Sequence, residues 1–351
     1  MNKKVLAVAI SSALAVPMAA QAVSMNMSGQ VNRAIAFADD GEGSDVHFVD
    51  NTASNTRFRM TGSEDMGNGI TAGFKIELSS QSNSSFSIAS KAANGGTVGA
   101  TGGRVQELFF KGNFGKITFG QGPTASDGMA DADLSNTWLS DQAAMSIGGS
   151  IAFRQANGTA SANTAASAYT YYDGNGRRNR LRYDLPSMGP LALSVSHDQD
   201  EAWSAKAYVY TSLAGGDLSA ALGYASTDDT TGRQRFGGSM SFLASNGTSL
   251  GLAWQEHDRN NNGRTSEHVR IKLGHRWGNN AISASYGEVT DHLAAGSEAQ
   301  KIGVGFVHSI PKPKVELYAG YANMSLDDDG TTTTSFQDID VFHVGSRVKF
   351  D

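Results

Sequence analysis

The 351-residue chain contains no cysteine, which excludes a disulfide scaffold, a thiolate metal site and a cysteine nucleophile. Charge is scarce: 18% of residues are Asp, Glu, Lys or Arg, and the net charge is −6. So few charges argue against a disordered chain, and the acidic balance argues against a general nucleic-acid binder. Beyond residue 22 there is no run of 18 apolar residues, so no spanning helix is expected. No long stretch repeats its apolar residues at helical spacing either. The chain has instead 41 glycines against 6 prolines, and a persistent alternation of apolar with polar or small residues.

The first segment reads as an export signal. Asn2-Lys3-Lys4 is a positive start, residues 5–16 are mostly apolar, and Ala20-Gln21-Ala22 places small residues where a signal peptidase inspects them. Cleavage is expected after Ala22, leaving residues 23–351 with 26 basic and 34 acidic side chains. Such a chain works beyond an inner membrane, where thiols are liable to oxidise, and the lack of cysteine fits that setting.

The alternation then runs from end to end. Met25-Asn26-Met27-Ser28-Gly29-Gln30-Val31 sets apolar or small residues against polar ones. Val269, Ile271 and Leu273 alternate with His268, Arg270 and Lys272, and Phe342, Val344, Val348 and Phe350 with His343, Arg347 and Lys349. A period of two means strands with one apolar face. Seven tight connections of Gly, Asn and Pro type fall at 66–69, 113–115, 187–189, 214–216, 245–247, 278–280 and 311–313. Eight longer ones fall near 39–54, 80–102, 126–176, 199–201, 228–232, 259–264, 292–297 and 328–337. Short and long alternate strictly, so fifteen connections join sixteen strands, with every short turn at one end. This predicts an all-β fold, a transmembrane antiparallel β-barrel with an even strand number. Lipid offers no hydrogen-bond partner, so a sheet crosses a membrane only when closed. A sixteen-strand ring is too wide for side chains to fill and leaves an aqueous channel. A soluble β-adhesin would also alternate, but would not need the asymmetry of short and long connections.

Arg57, Gly62, Glu64, Asp65, Gly67, Gly69, Ala72, Phe74 and Glu77 meet every fixed position of R-x-x-x-x-G-x-E-D-x-G-x-G-x-x-A-x-F-x-x-E. Residues 57–77 thereby resemble the second-and-third-strand hairpin of the Gram-negative general diffusion porins. Residues 108–120 resemble that family's next hairpin, and residues 177–183 with Pro186 and Gly189 resemble the strand after its third loop. The resemblance spans the mature chain. It implies an outer-membrane homotrimer whose third loop, here 126–176, folds into the pore and narrows it. It also implies outer-membrane lipid and lipopolysaccharide as surroundings, and recognition of the C-terminal strand by the barrel-assembly machinery. The glycine-rich loop 80–102 is expected to reach across a neighbour. Two departures stand out. Gln121 follows Gly120 where the family often has a constriction-lining Arg, and Asp351 follows Phe350 where the family ends in an aromatic residue.

Function should reside in the lining of the hole. Arg57 and Arg59 alternate with Phe58 and Met60, and Arg178, Arg180 and Arg182 alternate with Leu181 and Tyr183, so both sets are expected to point inward. An Arg turned to lipid near the midplane would cost about 2–4 kcal/mol, which fixes the register. Asp127, Asp131, Asp133 and Asp141 of the long loop are the candidate acids of the constriction. Acids facing wall arginines would set a transverse field, and such charges with the pore diameter decide what passes. The expected function is passive diffusion of ions and small hydrophilic solutes, with a weak anion preference. No cofactor, metal or nucleic acid is implied. A solute-selective channel would line its path with aromatics, whereas arginine and small residues dominate this inferred lumen. An outer-membrane enzyme would need a nucleophile, base and acid held together. The 8 histidines are scattered singly, and no G-x-S-x-G or H-E-x-x-H occurs.

Overall fold

Period-two alternation with one apolar face closes here into a ring. The computed structural model describes residues 24–89, 100–213, 215–226, 233–258, 263–328 and 335–351. The expected signal peptide lies outside the described residues, as do 90–99 of the second long loop and most of the loops near 228–232, 259–264 and 328–337.

The strands are β1 (Ser24–Asp39), β2 (Ser44–Asp50), β3 (Arg57–Asp65), β4 (Thr71–Gln81), β5 (Ala100–Gly112) and β6 (Gly115–Pro123). Two short strands follow, β7 (Ala152–Gln155) and β8 (Ala160–Thr164), with a single helical turn α1 (Ala165–Ala168). Then come β9 (Arg177–Asp184), β10 (Leu191–Asp198), β11 (Trp203–Leu213), β12 (Gly216–Ser226), β13 (Gln234–Ala244) and β14 (Thr248–Asp258). The last are β15 (Thr265–Trp277), β16 (Asn280–Thr290), β17 (Glu298–Ile310), β18 (Val315–Asp328), β19 (Phe336–Gln337) and β20 (Ile339–Phe350).

Seventeen of these strands form one sheet. On one side β1 pairs with β20 and closes the ring. On its other side, its first half pairs with β3 and its second half with β2, so β2 and β3 are two halves of one stave. The barrel therefore has 16 antiparallel staves. The pairing of β6 with β9 carries the wall past the long segment between them.

Two connections differ from the sequence reading. Within residues 39–54, Ser44–Asp50 form a strand, because Val46 and Phe48 continue the outward apolar face opposite Phe37 and Ile35. The break comes later, at Thr52–Ser54, a single turn capped by the Asn51 side chain accepting from Ala53 N. The 124–176 segment is not structureless either: β7, β8 and α1 lie within it, and β19 pairs with β7. Its alanines and serines carry little periodicity, so only tertiary contact reveals the strands.

The tight turns explain their residues. In Gly67-Asn68-Gly69 all three φ angles are positive, 81°, 54° and 74°, a run that only Gly and Asn accept readily. On the outer face, aromatic pairs stitch neighbouring staves: Phe37–Phe342 at 6.0 Å and Phe236–Trp254 at 6.1 Å between ring centres. Each such pair contributes about 0.2–1 kcal/mol. Gly29 stands opposite both Phe58 and Phe350. A Cβ on Gly29 would collide with the Phe350 ring, which lies over it and meets Phe58 at 5.6 Å.

The inner face is built from small residues because the 124–176 segment lies against it. Ala125 N donates to Ser196 Oγ at 2.9 Å, Ala132 N to Ser239 Oγ at 2.9 Å and Leu134 N to Ser241 Oγ at 3.0 Å. Thr137 Oγ1 meets Ser283 Oγ at 2.7 Å. Between the serines stand glycines: a Cβ on Gly303 would lie 2.5 Å from Asp141 Oδ1. Wall hydroxyls thus satisfy backbone donors that would otherwise be buried without partners. Farther along, Ile147, Ile151, Phe153 and Tyr169 pack on Ala34, Ala36, Val49, Val289, Met324 and Val341. Burying a large apolar side chain contributes about 1.5–3 kcal/mol, so this cluster anchors the segment's return half. Its outward half is tied to the break in the second stave, where Asn51 Nδ2 donates to Leu139 O and Trp138 Nε1 to Ala53 O.

Candidate functional site

The channel lining begins at Glu77, on the inward face of β4. Three arginines converge on its carboxylate. Arg59 donates from Nε and Nη2 to Oε2 at 2.9 and 2.6 Å, Arg104 Nε donates to Oε1 at 2.9 Å, and Arg57 Nη1 reaches Oε1 at 3.3 Å. Arg57 is further held by Asn55 O at 3.0 Å. The geometry follows from the register: Arg59 stands directly opposite Glu77, and Arg104 sits at the bulge where β5 slips against β4. Lys75 shares the inward face of β4, and Arg177 at the start of β9 lies within electrostatic reach of Arg57 and Arg104. Asp127 is within reach of Arg104. Cations here outnumber carboxylates, because one Glu77 serves three guanidinium groups. Glu77 stood in the hairpin motif as a fixed position without a role, and Arg104 was hidden by the bulge, which shifts the inward register of its strand.

The row Arg178, Arg180, Arg182 divides into three different fates. Arg180 is not on the channel surface. Its side chain is 2% exposed and donates to Glu107 Oε2 at 2.5 Å, Gly120 O at 2.8 Å and Pro123 O at 2.9 Å. Gly120 and Gly122 make the room, since a Cβ on Gly122 would strike the Glu107 carboxylate. Arg182 binds Asp184 Oδ1 at 2.7 Å and Thr124 O at 2.9 Å, so it clamps the start of the long segment. Arg178 is exposed and pairs with Asp200 of the 199–201 turn at 3.2 Å. Gln121 pairs in register with Gln106 and Asn179, on the opposite face of β6 from Gly120 and Gly122.

The four loop acids separate in the same way. Asp141 is fully buried and accepts from Arg270 at 3.0 Å, Ser283 Oγ at 2.8 Å and Ser285 Oγ at 2.7 Å. Asp133 accepts from Lys272 Nζ at 2.8 Å, and Lys272 also donates to Asp141 O at 2.5 Å. Burial pushes both carboxyls up, but adjacent cations outweigh it and hold both below the usual carboxylate range: Lys272 for Asp133, and Lys272, Arg270 and Lys301 for Asp141. These two acids face the β15 wall, not the arginines of β3 and β9, and no solute can touch Asp141. Lys301 is likewise covered, donating to Gln142 O at 2.8 Å and Ala144 O at 3.1 Å.

Asp127 and Asp131 lie at the other end of the segment, with Asp173. Asp173 accepts from Gly128 N at 2.9 Å and Ala130 N at 2.8 Å. Burial, then the neighbouring Asp173 and Asp127 charges, push the Asp131 carboxyl well up. Burial and the Asp127 charge push Asp173 up as well, against the two backbone donors. Lys206 on β11 offsets this group and donates from Nζ to the Asp127 carbonyl. Among the described residues no three histidines or carboxylates are placed to share a metal ion.

Inward aromatics belong to the lining as well: Phe109 on β5, over Gly73, and Tyr208 and Tyr210 on β11. Ala205, Ala207 and Val209 pair with the outward Tyr224, Leu222 and Ala220, so Lys206, Tyr208 and Tyr210 point into the channel. Tyr208 and Tyr210 are 37% and 49% exposed there. Alternation could not assign them, because Ala207 and Val209 are as apolar as the tyrosines. The inward face is therefore not restricted to arginine and small residues.

Comparison with known proteins agrees with this geometry. The model of the Gram-negative porin family matches residues 6–329. The outer membrane porin protein 32 of Delftia acidovorans is 26% identical over 94% of this chain and 92% of its own length. An anion-selective porin from Comamonas acidovorans has a similar structure, with a TM-score of 0.66 at 18% identity over 93% of this chain and all (100%) of that one. A trimer form of the in-vitro folded outer-membrane protein OmpT of Vibrio cholerae superposes with a TM-score of 0.60 at 14% identity, over 94% of this chain and 100% of that one. The chain belongs to the Gram-negative porins: it is an outer-membrane β-barrel, not an enzyme, and forms a water-filled channel for passive diffusion of ions and small hydrophilic solutes.

Proposed function

We propose that this porin passes anions more readily than cations. The observation that carries the reading is the convergence of Arg57, Arg59 and Arg104 on Glu77, with Lys75 on the same face and Arg177 within electrostatic reach: five cations against Glu77 and the Asp127 carboxylate near Arg104. The other inward acids are paired: Glu107 with Arg180, Asp141 with Arg270, and Asp133 with Lys272. Acids on the outer loops do not offset this arc of cations, because at physiological salt a charge acts over only about 8 Å. The structurally similar porin from Comamonas acidovorans is described as anion-selective, in keeping with this reading. The test is the zero-current potential of the protein in a planar bilayer across a KCl gradient. A potential of the sign set by chloride supports the reading, and one set by potassium refutes it.

The remaining assignments belong to the same proposal. Export proceeds through cleavage after Ala22, and mass spectrometry of the membrane-extracted protein should find Val23 first. The working unit is a homotrimer in outer-membrane lipid and lipopolysaccharide, inserted by the barrel-assembly machinery through β20. The existence of a trimer form of the similar Vibrio cholerae protein supports the stoichiometry. In the second long loop, residues 82–88 bind their own barrel: Ser82 N donates to Asp50, and Ser85 Oγ to Ser146 O at 2.6 Å. Residues 90–99 of that loop, where the reach across a neighbour is expected, lie outside the described residues. Native mass spectrometry in detergent reads the stoichiometry directly.

A further inference from the structure

The outward face of the barrel carries an apolar groove of about 630 Å³ on β12–β16. Ala220 and Gly238 leave it low in the middle, and Leu222, Met240, Trp254 and Tyr286 stand around it. Gly238 lies in register between Leu222 and Trp254, where a Cβ would strike Ala221 O, so strand packing builds the gap into the apolar row. Both aromatics of the groove hold a carboxylate at its long-loop end. Trp254 Nε1 donates to Glu267 Oε1 at 2.5 Å, and Tyr286 Oη to Glu288 Oε2 at 2.5 Å. Glu256 stands directly opposite Glu267, and Glu288 opposite Val269, so all three glutamates share the outward face with the groove. None of the three is within ion-pair distance of a described lysine or arginine. Tryptophan and tyrosine at the end of an apolar band mark the level of the lipid headgroups. Like charges directly opposite on paired strands are destabilising, so this rim calls for a cation from outside the chain. Among the described residues no three carboxylates are placed to hold a metal ion.

We propose that this groove seats an acyl chain of phosphatidylethanolamine, with the primary ammonium of the head received by Glu256, Glu267 and Glu288. Between lipid and protein there is no water to expel, so close packing selects the chain, and the low floor at Ala220 and Gly238 gives it room. Charge selects the head. An ammonium brings three N–H donors, and its hydrogen bonds to carboxylates are of the strong, charge-assisted kind. Phosphatidylglycerol brings a phosphate without an ammonium, and the same rim repels it. The proposal rests on the outward face meeting lipid in the outer membrane and is independent of the direction of ion preference.

The experiment is native mass spectrometry of the membrane-extracted protein in detergent carrying equal amounts of phosphatidylethanolamine and phosphatidylglycerol with the same chains, with and without a chelator. The native protein should retain the ethanolamine lipid roughly three- to tenfold more often, chelator or not. Glu256→Gln/Glu267→Gln/Glu288→Gln should retain the two lipids equally. Ala220→Phe, which fills the groove, should retain less of both. A heat-dependent electrophoretic shift shows that each variant is a folded barrel. Equal retention by the native protein, or preference for the glycerol lipid, overturns the ammonium site. A preference that the chelator abolishes overturns it in favour of a metal-bridged lipid. Undiminished retention in Ala220→Phe overturns the groove as the seat, and so does a changed stoichiometry in that variant, which would give the groove to a neighbouring copy. A native protein that retains neither lipid overturns the seat together with the lipid contact on which it rests.

Discussion

The two basic patches of the inner wall use the same residue types and meet opposite ends. Around Glu77, the arginines of β3 and β5 share one carboxylate and keep an open flank to the lumen. On β15 and β17, Arg270, Lys272 and Lys301 are covered by residues 133–144, which offer Asp133, Asp141 and three backbone carbonyls. On the reading proposed above the first patch acts on permeating ions; the second fixes the segment that crosses the wall. What distinguishes them is cover, not composition. A row of basic residues on an inward face is therefore a selectivity element only where no loop lies on it.

Breaking the covered patch should have the largest effect. Asp141→Ala leaves Arg270 buried without its carboxylate and takes the farther of two carboxylates from Lys272, a change that costs about 3–5 kcal/mol. Thermal unfolding in detergent should show a clearly lowered midpoint, with conductance raised or noisy as the segment loosens. Arg180→Gln, which strands Glu107 in the same manner, should also lower the midpoint, and should reduce anion preference by leaving the Glu107 carboxylate uncompensated within reach of Lys75.

The acids near the start of the segment sharpen the comparison at intermediate scale. Asp131 and Asp173 have raised carboxyls, so they take up protons at a higher pH than ordinary carboxylates as the solution is acidified. Each proton removes negative charge from the segment, so anion preference should rise as the solution is acidified. Asp131→Asn should flatten this pH dependence, read from zero-current potentials at several pH values. The smallest effect belongs to the serine contacts. Ser239→Ala leaves Ala132 N without its acceptor and should cost about 1 kcal/mol in thermal stability, with selectivity unchanged.

The barrel was legible because lipid permits few solutions. Strict alternation, short turns at one end and the 57–77 hairpin were enough for sixteen staves, and the inward pointing of Arg57 and Arg59 followed from Phe58 and Met60. What alternation cannot give is what lies over an inward residue. Arg178, Arg180 and Arg182 are equivalent by parity, yet one pairs with a turn, one is sealed against Glu107 and one clamps the long segment. Asp133 and Asp141 read as pore acids because nothing in a loop's sequence reports which wall it touches. The complementary signal was present but unreadable alone: Ser239, Ser241, Ser283, Ser285 and Gly303 are small because the segment passes there, and small residues suit water equally well. Arg104 escaped through a bulge, and Tyr208 and Tyr210 through neighbours as apolar as themselves.

The central claim is that selectivity resides in the arc at Glu77 and not in the row on β9. The most direct measurement compares zero-current potentials across one KCl gradient for three channels: native, Arg57→Gln/Arg59→Gln/Arg104→Gln, and Arg178→Gln/Arg182→Gln. The account predicts a chloride-signed potential in the native channel, collapse toward zero or reversal in the first variant, and little change in the second. A native-like potential in the first variant, with collapse in the second, would contradict it.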